Sequence, residues 1–182
     1  MIKSIIIIYA LIFMQVSGAT CESVEHDVGP YILSIDAGRN VSWTLLDPME
    51  LELGGYNVTQ YTLNGFIGDA PKGEDHVAIT IAKIDPVPDP AMFKEFRTIE
   101  NMTAGVKNSI TLIGAKPISI SPRIFDGYQG MIGVAYWDIL RETLFVGQWV
   151  MNDTIITTTS NIRWGEGTQQ IFDTIHINKS LD

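Results

Sequence analysis

Between Ile118 and Ile162 the chain repeats one pattern four times, and that pattern leaves few folds open. The runs Ile118–Phe125, Gln129–Trp137, Leu144–Met151 and Thr154–Ile162 are rich in Val, Ile, Thr and aromatic residues that alternate with period two. Such alternation marks strands with one buried face. Asp126-Gly127, a polar loop at Arg141-Glu142, and Asn152-Asp153 separate the runs. Asp-Gly suits a tight hairpin, because the turn needs positive φ angles that both residues tolerate. A four-strand antiparallel meander is therefore expected. The stretch IFDGYQGMIGV also places Gly127, Gly130 and Gly133 behind Asp126, as an anion-cradling loop would. Such a loop opens a helix, however, and here strands lie on both sides. Gly130 and Gly133 then fall inside a strand, where a missing side chain predicts a bulge or a closely packed helix.

Upstream, Tyr31–Ile35 and Val41–Leu46 read as a strand pair around Asp36-Ala37-Gly38-Arg39. Tyr56–Asn64 and His76–Ile84 read as a second pair around the loop GFIGDAPKGED. Asp85-Pro86-Val87-Pro88-Asp89-Pro90 ends the strand pattern, with Asp89 as a helix cap and Pro90 at the first helical position. From Ala91 to Lys107, Met92, Phe96, Ile99, Thr103 and Val106 share one side at helical spacing, with Asn101 nearly opposite. A short last helix over Glu166–Thr174 turns Ile171, Phe172 and Ile175 inward. The expected fold class is α+β: an antiparallel β-sheet backed by one longer helix and a short C-terminal helix.

The N-terminus reads as a targeting segment. MIKSIIIIYALIFMQVSGATC carries one cation, Lys3, then an apolar run from Ile5 to Val16. A run of about a dozen residues suits a secretory signal core and falls short of the roughly 20 a spanning helix needs. Ser17 and Ala19 form a small-x-small cleavage site, so residues 1–19 are expected to be a cleaved signal peptide. Gly18-Ala19-Thr20-Cys21 faintly resembles a lipobox, which makes Cys21 a possible lipidation site. Gly18 stands where that motif expects an aliphatic residue. Membrane association is expected only if the signal is retained or Cys21 is lipidated. Because Cys21 is the only cysteine, an intrachain disulfide and a thiolate metal site are both excluded.

Residues 20–29 read as a disordered acidic leader, and residues 30–182 as a single α+β domain. The formal charge of −9 moves to about −10 without the signal. A chain this acidic is repelled by phosphate backbones, so nucleic acid is excluded as a partner. Five Asn-x-Ser/Thr triplets begin at Asn40, Asn57, Asn101, Asn152 and Asn178, where chance supplies roughly one. They are glycosylation candidates, and with the signal they point to a secreted protein or to the extracellular face of the cell envelope.

Signals for chemistry are sparse. Of the three histidines, His26 lies in the leader, His176 alternates with apolar residues as an outward strand residue would, and His76 starts a strand after Glu74-Asp75. None has the spacing of a helical zinc pair, and no serine sits in a Gly-x-Ser-x-Gly elbow. Asp69, Glu74 and Asp75 share a loop, with Asp85 and Asp89 following. Oxygen-rich loops can bind calcium, but these lack the spaced ligands of a known calcium loop. Trp43, Trp137, Trp149 and Trp164 fit core packing or a sugar platform. No catalytic residue, cofactor or metal ligand is assigned.

Three stretches carry a family likeness: GPYILSIDAG, FDGYQGMIGV and WGEGTQQIFDTIHI. Together they resemble a group of small exported proteins of methanogenic archaea, with GPYxVSFDL-like, IDGxxGVLG-like and WxxGTxxLLxTIHV-like segments. The likeness covers nearly all of the chain after the signal and implies export, but it brings no functional residue with it. The order of elements also resembles the PsbP-like α/β/α sandwich, a fold used mostly by accessory and binding proteins. Two functions fit: a non-enzymatic surface module binding an envelope protein or glycan, or a hydrolase or metal-dependent enzyme using the acidic 65–90 loop region.

Overall fold

A computed structural model describes residues 23–37, 41–66, 76–87, 89–139, 141–161 and 165–180. The signal peptide, Cys21, Asn40 and the loop carboxylates Asp69, Glu74 and Asp75 lie outside the described residues. In chain order the elements are β1 (Val24–Val28), β2 (Tyr31–Ile35), β3 (Ser42–Leu45), β4 (Met49–Leu53), β5 (Tyr56–Phe66) and β6 (His76–Asp85). After them come α1 (Pro90–Phe96), α2 (Ile99–Leu112), β7 (Lys116–Phe125), β8 (Tyr128–Trp137), β9 (Glu142–Met151), β10 (Thr154–Asn161), α3 (Gly165–Thr174) and β11 (His176–Lys179). The architecture is mainly antiparallel sheet with a few helices, an α+β arrangement.

The larger sheet has the order β3-β5-β6-β10-β9-β8-β7, with β4 pairing β5 beside β3; the smaller has the order β1-β2-β11. The expected meander is β7 to β10, and the Tyr56–Asn64 and His76–Ile84 runs pair as β5 and β6. Positive φ angles at Asp126 (49°), Gly127 (77°) and Asn152 (54°) close two of its turns as the sequence predicts.

Three expectations are corrected. Tyr31–Ile35 does not pair with the strand after it: β2 lies between β1 and β11, and β3 pairs β5 instead. The leader is not disordered throughout, since VEHDV forms β1, with Val28 buried and His26 against the Trp43 ring at 5.1 Å. The helix expected over 91–107 is two helices. Thr98 caps α2 by accepting from the Asn101 N–H at 3.3 Å, and Arg97 ends α1. In an unbroken helix Phe93 and Met102, nine residues apart, would point half a turn from each other. The break lets both reach the sheet, where both are buried.

Side chains of β9 are buried on both faces of the sheet. On one face Leu144 and Val146 join Met131 and Ala135 under Met102, Val106 and Ile110 of α2. Gly133 lies beneath that helix: a Cβ there would stand 2.6 Å from Val106 Cγ1. This is the close helix packing the glycine predicted. On the other face Trp149 stacks on Phe125 with ring centroids 4.6 Å apart, and Phe172 of α3 meets Phe125 edge-on. Leu33, Ile35, Ile79, Ile81 and Ile171 complete this core. Each such fully buried side chain contributes about 1.5–3 kcal/mol.

Polar ties join the second core's layer to the meander. Asp126 pairs with His176 Nδ1 and accepts the Ile177 N–H at 3.0 Å, and Lys179 Nζ donates to Asp153 at 2.9 Å. Strand β11 thus reaches from the β7–β8 turn to the β9–β10 turn. Arg123 of β7 holds α3 through Gln169 and Asp173. The three stretches that carry the family likeness meet here, since β11 also pairs β2.

Strand β7 forms one edge of the larger sheet. Pro117 stands opposite Ala135 and Pro122 opposite Met131, with a register shift between Pro117 and Ser119. The shift puts both prolines in the same phase of the ladder, where a β7 N–H would point away from β8 and none is missed.

Candidate functional site

The helices cover only part of their face. Helix α2 lies over β7, β8 and β9, while α1 contributes Phe93 to a cluster with Val58, Ile84 and Val150 at one end. Beside them β5, β6 and β10 present a half-exposed strip, for which strand parity selects the residues. Cross-strand pairing sets these in rows: Gln60–Ala82–Ile155, then Thr62–Thr80–Thr157, then Asn64–Ala78–Thr159, ending at Phe66–His76.

The lower end of the strip opens into a cleft of about 330 Å³. Tyr56, Val58, Ile84, Ile155 and Phe96 give it apolar walls, while Gln60 and Thr157 bring polar groups to it. The middle is a hydroxyl row: Thr62 and Thr80 Oγ1 are 3.0 Å apart, and Thr157 lies opposite Thr80. Gln148 of β9 pairs Thr157 and continues this row under α2, where it lies against Gly105. Its Oε1 is buried with no hydrogen-bond partner among the described residues.

At the upper end Phe66 and His76 stack with centroids 6.2 Å apart. The His76 N–H donates to Asn161 Oδ1 at 3.1 Å, and Asn161 Nδ2 donates to the buried Glu142 carboxylate at 3.3 Å. Burial pushes the His76 imidazole below its ordinary value, and the Glu142 charge acts in the opposite direction. The ring is therefore held toward its neutral form. Nearby, Ser160 and Thr168 share a buried hydrogen bond of 2.6 Å that ties β10 to α3.

The residues singled out from sequence do not gather into a catalytic set. Asp89 caps α1 by accepting the Ala91 N–H at 2.8 Å, and Asp85 is exposed across from Asn57. Among the described residues no group of three or more His, Cys, Asp or Glu side chains is placed to hold a metal ion. His176 is exposed, and its neighbours Ile175 and Ile177 are buried, in keeping with an outward strand residue. Trp149 is fully buried, and Trp43 and Trp137 pack against the two main cores, so none of these three forms a platform on the strip. Trp164 lies outside the described residues.

Asn57, Asn101, Asn152 and Asn178 are all exposed. They lie toward one end of the larger sheet: Asn57 begins β5, Asn101 is in the first turn of α2, and Asn152 is at the β9–β10 turn. Arg97 Nη2 donates to the Asn152 carbonyl at 2.7 Å, bringing the α1–α2 junction to that turn. Asn152 and Asn178 border one cavity with Asp126 and His176. None of the four belongs to the rows of the strip.

The strip itself was not identified from sequence. Its only signal is polar residues at alternate positions of β5 and β10, and threonine fits either face of a sheet. The chain matches no protein-family model and no curated protein at a significant level.

Proposed function

We propose that the protein is an exported, non-enzymatic binding or accessory module of the cell surface or secreted space. Its contact face is the uncovered strip of β5, β6 and β10. One observation carries this reading: the strip is a half-exposed sheet face that the helices leave open, with an apolar cleft at one end and convergent polar groups beside it. The likeness to small exported proteins of methanogenic archaea supports export, as do the signal-like N-terminus and the sequons. Exposure of Asn57, Asn101, Asn152 and Asn178 leaves each open to glycosylation, and none of the four is itself a residue of the strip's rows. The finer architecture we propose is the PsbP-like α/β/α sandwich, with α1 and α2 on one face of the larger sheet and α3 sharing the other with β1, β2 and β11. Envelope protein and envelope glycan are the two partner classes.

Ala82→Arg places a cation at the cleft end of the strip and leaves both main cores untouched. Wild-type protein should be retained on native envelope material and the variant should not. Equal retention of the two overturns the assignment of the contact face. Mass spectrometry of the native protein reads signal cleavage, the state of Cys21 and glycan occupancy together. An intact signal peptide on soluble protein would overturn export.

A further inference from the structure

We propose that the strip takes an uncharged, polyhydroxylated chain, a neutral oligosaccharide; this rests on the strip being the contact face. Charge is the first ground. The chain carries 21 acidic and 12 basic residues, yet Asp, Glu, Lys and Arg are missing from the strip's rows on β5, β6 and β10. Among the described residues, these rows offer no counter-charge to a phosphate, a sulfate or a uronate, and no ion pair to a charged peptide. His76, at its upper end, is held toward the neutral form by burial.

The groups that are present match sugar chemistry. Thr62, Thr80 and Thr157 set three hydroxyls in one row across three strands. A threonine hydroxyl donates one hydrogen bond and accepts others, as a sugar hydroxyl does, and the Thr62–Thr80 bond occupies one of the three donors. Gln60 and Asn64 add amides in the flanking rows, and Ala78 and Ala82 keep the floor low between them. Aromatic rings stand at both ends, Tyr56 and Phe96 in the cleft and Phe66 with His76 above. Their faces fit the C–H faces of a pyranose ring. Strand β5 provides about 34 Å of this surface, a length suited to a chain rather than to one monosaccharide.

A protein partner fits less well. Protein-binding hot spots favour Trp, Tyr and Arg and under-represent Thr and Ser, and interfaces are depleted in Ala. The middle of the strip is threonine, alanine, glutamine and asparagine.

The test is a panel of neutral, uronate-bearing and sulfated oligosaccharides titrated against the signal-free protein. A neutral member should bind, with affinity nearly unchanged between about 0.05 and 0.5 M NaCl, since no charge is there to be screened. The double variant Thr80→Val, Thr157→Val keeps the strand-favouring shape and should lose about tenfold in affinity. Its melting temperature should match the wild type, and Ser121→Val on β7, at the far edge of the sheet, should bind as the wild type does. Binding to no neutral member, preference for a charged one, or full affinity in the double variant each overturns the proposal.

Retention on envelope material separates this proposal from the contact-face reading. Periodate should abolish retention by destroying sugar diols, and protease treatment of the material should not. If Ala82→Arg abolishes retention that is protease-sensitive and periodate-resistant, the partner is a protein: the glycan inference falls and the contact face stands. If Ala82→Arg is retained, both fall.

Discussion

One face of the larger sheet has two halves, and they differ in what the strands present. Under α2, strands β8 and β9 offer Met131, Gly133, Ala135, Leu144 and Val146 to Met102, Val106 and Ile110. Beside it, β5, β6 and β10 offer Thr62, Thr80, Thr157, Thr159, Gln60 and Asn64, and stay half exposed. The backbone is continuous across the divide, since β9 pairs β10 along its length. The side chains favour the helix on the half it covers. An apolar stripe with a glycine beneath it gains from burial, whereas hydroxyls and amides would lose their water.

The covered half should fail first when altered. Ile110→Ala empties a fully buried position beneath α2 and should cost about 2–5 kcal/mol in urea unfolding. A loss under 1 kcal/mol would mean that α2 is not seated on this half. Next, Gly133→Val sets a side chain against Val106 and Ile110 and should cost about 1–3 kcal/mol. If it is neutral, the close approach of helix and strand does not hold.

Thr158 is a smaller test, on the opposite face of β10. It is fully buried, and its Oγ1 has no partner among the described residues. Thr158→Val should be neutral or stabilising by up to about 1 kcal/mol. Clear destabilisation would reveal a hydrogen bond to that hydroxyl. The smallest expected effect is a pH dependence from His76 and His26, both lowered by burial. Below the unfolded value near 6.5 the unfolded chain binds more protons than the folded one. Stability should therefore fall as pH drops through about 6.5 and level off below the folded values. His76→Phe should flatten the slope in urea melts taken at several pH values, and an unchanged slope would exclude His76 as its source.

Legibility in the sequence followed how local each decision was. The meander could be read because every strand from Ile118 onward is bounded by its own turn signal, Asp126-Gly127 or Asn152-Asp153 among them. Strand β2 was mispaired because its partners are not set by a local turn with β3: β11 arrives from the far end of the chain, and β1 looked like an acidic leader. VEHDV does alternate, but Glu25 and Asp27 on the outer positions masked Val24, His26 and Val28. The long helix could be read from its period, yet its break at Arg97-Thr98 could not, because Phe96, Ile99 and Val106 continue one stripe in an ideal helix. Within the strip, TIITTTSN places threonine on both faces of β10, so only the pairing partners show which hydroxyls are buried. The carboxylates of the 65–90 region drew attention by charge alone. Of those described, Asp89 serves as a helix cap and Asp85 lies exposed beside a sequon.

The two prolines of β7 have a consequence for behaviour on a crowded surface. An open sheet edge is a template on which a second copy can add a strand, and repetition of that step makes fibres. At Pro117 and Pro122 the outward donors that such a step needs are missing on either side of Ile120, without cost to the ladder behind them. Copies crowded close together can therefore touch at this edge without zipping into one another. Any strand-to-strand joining of copies has to use other edges.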